Sequence, residues 1–97
     1  MIEEEIIHKI AEKRTVDIIS EQAIEACSNL ITAIARKQRI VMGDRTLKDT
    51  ADYQNALNMI YEEIANVTIA TEQLIYLYNC QSDIDAAITE QVERIKS

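Results

Sequence analysis

The stretch Ile60–Leu77, IYEEIANVTIATEQLIYL, decides the fold class. Placed on a helix, Tyr53, Leu57, Ile60, Ile64, Val67, Thr71, Leu74 and Tyr78 recur at alternating steps of three and four and share one apolar seam. A second row at the same spacing runs beside it: Met59, Glu63, Asn66, Ala70, Gln73 and Leu77. An acid and an amide set among small and apolar groups are drawn to a partly buried surface, where polar groups without partners are costly. The spacing predicts a long helix carrying a core seam and, next to it, a row suited to a ligand site.

Outward from this helix the pattern stays helical. A first helix is expected over about Ile2–Lys13, with Glu3, Glu4 and Glu5 at its start and Lys9, Lys13 and Arg14 at its end, the order the helix dipole favours. Thr15 or Asp17 caps a second helix to about Val41, carrying Val16, Ile19, Ala23, Cys27, Leu30 and Ile34 inward. The periodicity fails around Met42–Lys48, where Gly43-Asp44 is the strongest turn signal. Asp49 or Thr50 starts the long third helix, which ends near Asn79. Ser82 or Asp83 caps a fourth helix to about Ile95, with Ile84, Ala87, Ile88, Val92 and Ile95 facing in. The architecture expected is an all-α, four-helix antiparallel bundle forming a single domain over 1–97.

Composition agrees. The 97 residues are 47% hydrophobic and 28% charged, with one glycine and no proline. That is more apolar matter than so short a chain hides by itself, so a homodimer or higher oligomer is expected. The net charge of −7 argues against DNA or RNA duplexes, whose binding relies on cationic surface, and against anionic membranes. Cys27 and Cys80 fit no metal or redox spacing and read as buried small hydrophobes in a reducing compartment. No apolar run reaches the ~18 residues of a membrane span, and the acidic start lacks a signal-peptide n-region. A cytoplasmic location, in a bacterium or an infected host cell, is expected.

The second helix offers a facing row: Ile18, Gln22, Glu25, Asn29, Ala33 and Arg36, with Ala26 at its edge. Antiparallel packing would set Glu25 and Asn29 opposite Glu63 and Asn66. Arg36, Lys37, Arg39, Arg45 and Lys48 hold half of the ten basic residues and form a candidate phosphate clamp, although cations near a helix end are also ordinary. His8 reads as a surface or interface residue. Tyr53 and Tyr78 belong to the seam, while Tyr61 and Tyr76 are available to stack or to pack. No Ser-His-Asp array, Gly-rich phosphate loop or zinc spacing is present.

QAIEACSNLITAIARKQR (Gln22–Arg39) followed by YEEIANVTIATEQLIYLYN (Tyr61–Asn79), with the tail AAITEQVERIKS, resembles the MazG-like all-α nucleotide pyrophosphohydrolases, closest to their short single-domain members of phages and Gram-positive bacteria. The likeness covers about Ile18 to Lys96. That family carries Glu-Glu-x-x-Glu on one helix and Glu-x-x-Asp on a later one, and four of these acids hold Mg²⁺. Here Glu25, Ala26 and Asn29 stand at the first motif, and Glu63 and Asn66 at the second, so Glu63 is the one principal metal position retained. Arg94 keeps a basic place in the closing helix, whereas Gln91 stands where related chains often carry Lys.

An amide oxygen can coordinate Mg²⁺ but brings no charge, and losing a unit charge beside a metal costs roughly several kcal/mol even at an effective dielectric near 20. The resemblance therefore implies a protein that binds a linear, cyclic or modified nucleotide through Glu25, Asn29, Glu63, Asn66, Arg36, Lys37, Arg39 and Arg94 without hydrolysing it and with no cofactor required. Sequestration of a nucleotide signal, as in phage anti-defence, is one use. Two alternatives stand beside it. One is an active Mg²⁺-dependent nucleoside triphosphate pyrophosphohydrolase using Glu63 and Glu25. The other is a helical interaction module without a small ligand.

Overall fold

A computed structural model describes residues 4–43 and 50–97. They form four helices: α1 (Glu4–Lys13), α2 (Val16–Gly43), α3 (Ala51–Tyr78) and α4 (Gln81–Lys96), with no strand among the described residues. The expected all-α helical bundle is present. Ile2, Glu3, Asp44, Arg45, Lys48 and Asp49 lie outside the described residues.

Local chemistry sets the helix ends. The Thr15 hydroxyl accepts from the Ile18 amide at 3.2 Å, and Thr50, in an extended conformation, accepts from the Tyr53 amide at 3.2 Å. Each satisfies a first-turn donor that the helix itself leaves unpaired. At the far end of α3, Asn79 adopts a left-handed conformation (φ 50°, ψ 50°), which asparagine tolerates better than most residues. The Cys80 amide then reaches back to the Ile75 carbonyl at 3.2 Å, closing the helix in a Schellman-like turn. Because this turn already redirects the chain, α4 restarts at Gln81 behind Cys80, which makes no side-chain cap. Ser82 and Asp83, expected as caps, sit inside the first turn instead.

Packing centres on α2 against α3, with α1 laid on α3. Ile19, Ala26 and Ala33 are buried on α2 at seven-residue steps. On α3 the buried Ala56 and Ala70 bracket the half-buried Glu63, again in sevens. A seven-residue repeat keeps one line of each helix on its neighbour, and alanine lets the two backbones approach closely. Among the described residues, five of the seven buried apolar ones are alanines (Ala11, Ala26, Ala33, Ala56, Ala70), with Ile7 and Ile19 the other two.

This arrangement reverses two expectations. The apolar seam of α3 is not the buried one: Leu57, Ile60, Val67 and Leu74 are half-buried, while Ile64, Thr71 and Tyr78 are exposed. Cys27 and Ile34, expected inward on α2, are exposed as well. Ala26, Ala33, Ala56 and Ala70 occupy most of the helix–helix contact, where small side chains let the two backbones approach. Helix α4 buries none of its residues and meets α3 sparsely, so the stripe expected to face in lies open, with Ile88 56% and Ile95 83% exposed. The radius of gyration, 16.7 Å, exceeds the ~12.5 Å of a compact chain of this length.

Candidate functional site

Where the end of α1 meets the α2–α3 pair, the three helices border an open concavity of about 320 Å³. Helix α2 contributes Gln22, Glu25, Ala26 and Asn29, while α3 contributes Glu63, Asn66, Ile69, Ala70 and Gln73. Ile10 and Arg14 enter from the end of α1. The buried Ala26 and Ala70 form a close-packed floor, so the longer polar side chains beside them project into the opening.

Three features give the concavity its chemistry. Arg14 donates through Nη1 to Gln22 Oε1 at 2.8 Å, which holds a guanidinium at the rim. Glu63 Oε2 is buried and has no hydrogen-bond partner. Gln73 is only 4% exposed. Buried polar groups are nearly always paired, and an unpaired one costs about 1–3 kcal/mol, so the Glu63 oxygen calls for a donor to complete it. The ionisable residues of the lining are Arg14, Glu25 and Glu63, a net charge of −1.

Of the residues expected to bind ligand, the structure brings four together: Glu25, Asn29, Glu63 and Asn66. The other four stand elsewhere. Arg36 lies further along α2 and donates to the Met59 sulfur at 3.3 Å, and Lys37 donates to Gln38 Oε1 at 3.0 Å. Arg39 is exposed beyond them, and Arg94 pairs with Glu90 at 2.7 Å on α4. Arg36, Lys37 and Arg39 are thus not part of this concavity. Sequence reasoning missed Arg14, because no periodicity on α2 or α3 reveals which α1 residues reach them. Gln73 was legible as a member of the row, but its near-complete burial was not.

A second concavity, of about 480 Å³, lies where α1 meets the end of α3. Its wall is a parallel stack of His8 on Tyr76, with centroids 4.0 Å apart and an interplanar angle of 10°. The Tyr76 hydroxyl donates to Glu12 Oε1. That hydrogen bond, with desolvation and the nearby carboxylate charge, raises the Tyr76 pKa above its ordinary 10.0. Tyr76 is therefore occupied in holding α1 on α3, whereas Tyr61 is exposed.

The chain matches no known protein family, no curated protein and no solved structure.

Proposed function

We propose that this chain is a MazG-like, nucleotide-binding homo-oligomer that holds its ligand without hydrolysing it. The observation that carries the reading is the meeting of Asn29 and Asn66 with Glu25 and Glu63 in one concavity, as the resemblance requires. The two long helices run antiparallel on this reading. In support, Arg36 near the end of α2 touches Met59 near the start of α3, and Gln22 near the start of α2 shares a concavity with Gln73 near the end of α3. Amides suit base edges and ribose hydroxyls, and the unpartnered Glu63 Oε2 accepts only from an N–H or O–H donor.

The Mg²⁺ of the pyrophosphohydrolases does not fit this donor set. Glu25 and Glu63 are the only carboxylates in the lining, with a guanidinium beside them, and no three His, Cys, Asp or Glu come together as a metal site among the described residues. A hard cation that keeps near-octahedral oxygen ligands depends on more carboxylate charge than this. We therefore derive no hydrolytic step and assign no cofactor. Sequestration of a nucleotide signal in the cytoplasm, including a phage protein acting against host defence, is the physiological use this chemistry suits; no described helix is long and apolar enough to cross a membrane.

Calorimetry with a panel of linear and cyclic nucleotides, in Mg²⁺ and in EDTA, tests the reading. Binding that is equal in both, with no monophosphate or pyrophosphate released, is the expected result. Turnover to monophosphate and pyrophosphate restores the enzyme, and no binding across the panel leaves the interaction module. Restoring Ala26→Glu, Asn29→Glu and Asn66→Asp together should create Mg²⁺ affinity, and its failure to do so would show that the two motifs are misaligned.

A further inference from the structure

The polar groups around the concavity between α1, α2 and α3 divide by what they accept and donate. Gln22, Asn29, Asn66 and Gln73 are amides, each with donors and an acceptor, so they suit any base edge. Arg14 only donates, and it is the one cation of the lining. Glu25 and Glu63 are carboxylates, which only accept when ionised. Glu25 is exposed, so water replaces a ligand there at little cost. Glu63 is half-buried, and its Oε2 is withdrawn from solvent with no hydrogen-bond partner. A group in that state discriminates between ligands, because one without a matching donor leaves it both desolvated and unpaired.

We infer that the ligand of this concavity is a guanine nucleotide, its base read by the Glu63 carboxylate and its phosphate held by the Arg14 guanidinium. The inference rests on the nucleotide-binding reading above and names the base. A carboxylate has two acceptor oxygens side by side, and the terminal torsion of a glutamate is broad enough to turn both toward the opening. Guanine is the base that meets them with two adjacent donors, its ring N–H and its exocyclic amine. Adenine and cytosine place a ring acceptor next to their amine, which sets a lone pair against one carboxylate oxygen. Uracil offers one ring N–H between two carbonyls, so it satisfies one oxygen and repels the other. Hypoxanthine keeps the ring N–H of guanine and lacks the amine.

The remaining lining agrees with that orientation. A concavity of about 320 Å³ lies at the small end of ligand pockets, a size for one base and its sugar. Gln22 Oε1 fixes Arg14 at the rim, where a guanidinium can fork two phosphate oxygens outside the opening. The phosphate charge then stays apart from Glu63.

Calorimetry of the full chain in EDTA with guanosine, inosine, adenosine, cytidine and uridine 5′-monophosphates is the test. The guanine nucleotide is expected to bind about 10- to 100-fold more tightly than the adenine, cytosine and uracil ones, the range of one bidentate base contact, with the inosine nucleotide between. Glu63→Gln keeps the shape of the side chain and replaces one acceptor by a donor. It should weaken the guanine nucleotide about tenfold or more and leave the adenine nucleotide no weaker, since an amide matches an amine beside a ring acceptor. A Glu63 that only supports the fold would move all five affinities alike, and that result overturns the assignment. So does a wild-type protein that binds the five equally or prefers another base. If none of the five binds while other nucleotides do, the guanine assignment falls and nucleotide binding stands; if no nucleotide binds at all, both fall.

Discussion

The two faces of the α2–α3 pair are built from the same helices in the same register, yet they differ in every property that matters. One carries Gln22, Glu25, Asn29, Glu63, Asn66 and Gln73 around an open concavity bordered by the end of α1, with Glu25, Asn29 and Asn66 exposed. The other carries Leu30, Ile34, Ile60, Ile64, Val67 and Leu74 and is open. A helix pair normally hides its aliphatic face and wets its polar one, because apolar burial is the main favourable term in folding. Here the one buried member of either face is polar, Gln73, while Ile34 and Ile64 are exposed. The contrast teaches that the position of α1, and not hydropathy alone, decides which groups are hidden.

The comparison breaks most easily at the line between the faces. Ile19 is the one large side chain there with no exposure at all, so Ile19→Ala should cost about 2–5 kcal/mol by urea unfolding. A loss below about 1 kcal/mol would mean that the α2–α3 line is not the chain's own core. Next comes Ala33→Leu, which adds bulk where the two backbones approach. Overpacking of this kind costs about 1–3 kcal/mol and should lower the melting temperature by several degrees per kcal/mol. An unchanged melting temperature would show that the closeness of the helices has been overstated.

Glu63→Gln sharpens the polar side of the contrast. Exchanging a carboxylate that has one buried, unpartnered oxygen for an amide of the same shape should raise stability by on the order of 1 kcal/mol. Nucleotide affinity should meanwhile fall about tenfold or more, since a charge-assisted acceptor is lost. A variant that binds as well as wild type would remove Glu63 from the site. The smallest effect concerns the seat of α1. Tyr76 keeps its proton more tightly in the folded state than an ordinary tyrosine, so its contribution is complete below pH 10 and fades as pH rises through its raised pKa. Ultraviolet titration should show one late-ionising phenol that moves earlier in Glu12→Gln, and a titration identical in both proteins would argue that the Tyr76–Glu12 bond is absent.

Much of this molecule was legible before any coordinates. Three-and-four spacing located the four described helices, and two of their starts were narrowed to Thr15 or Asp17 and to Asp49 or Thr50, of which Thr15 and Thr50 accept the capping bonds, because both signals are local. The convergence of Glu25, Asn29, Glu63 and Asn66 was legible too, since two periodic rows on neighbouring helices must meet if the helices pack along them. What periodicity cannot say is which of two adjacent rows faces inward. The more apolar row of α3 looked like the core, but residue size overruled hydropathy, and Ala56, Ala70 and the groups between them took the contact. Arg14 was hidden for a different reason. Its place depends on how a ten-residue helix lies across two others, a long-range matter no window of sequence encodes. The stripe of α4 was read correctly as a stripe, and only its covering was misjudged.

The alanine-rich contact line has a calorimetric consequence. Unfolding raises the heat capacity in proportion to the hydrocarbon newly wetted, about 12–15 cal/mol/K per residue in ordinary domains. A lone chain whose interior is chiefly methyl groups has little hydrocarbon left to wet, so its excess heat capacity should fall below that range and its melting should be broad. A melting temperature that climbs with the logarithm of concentration would be the mark of self-association, and one independent of concentration the mark of a monomer.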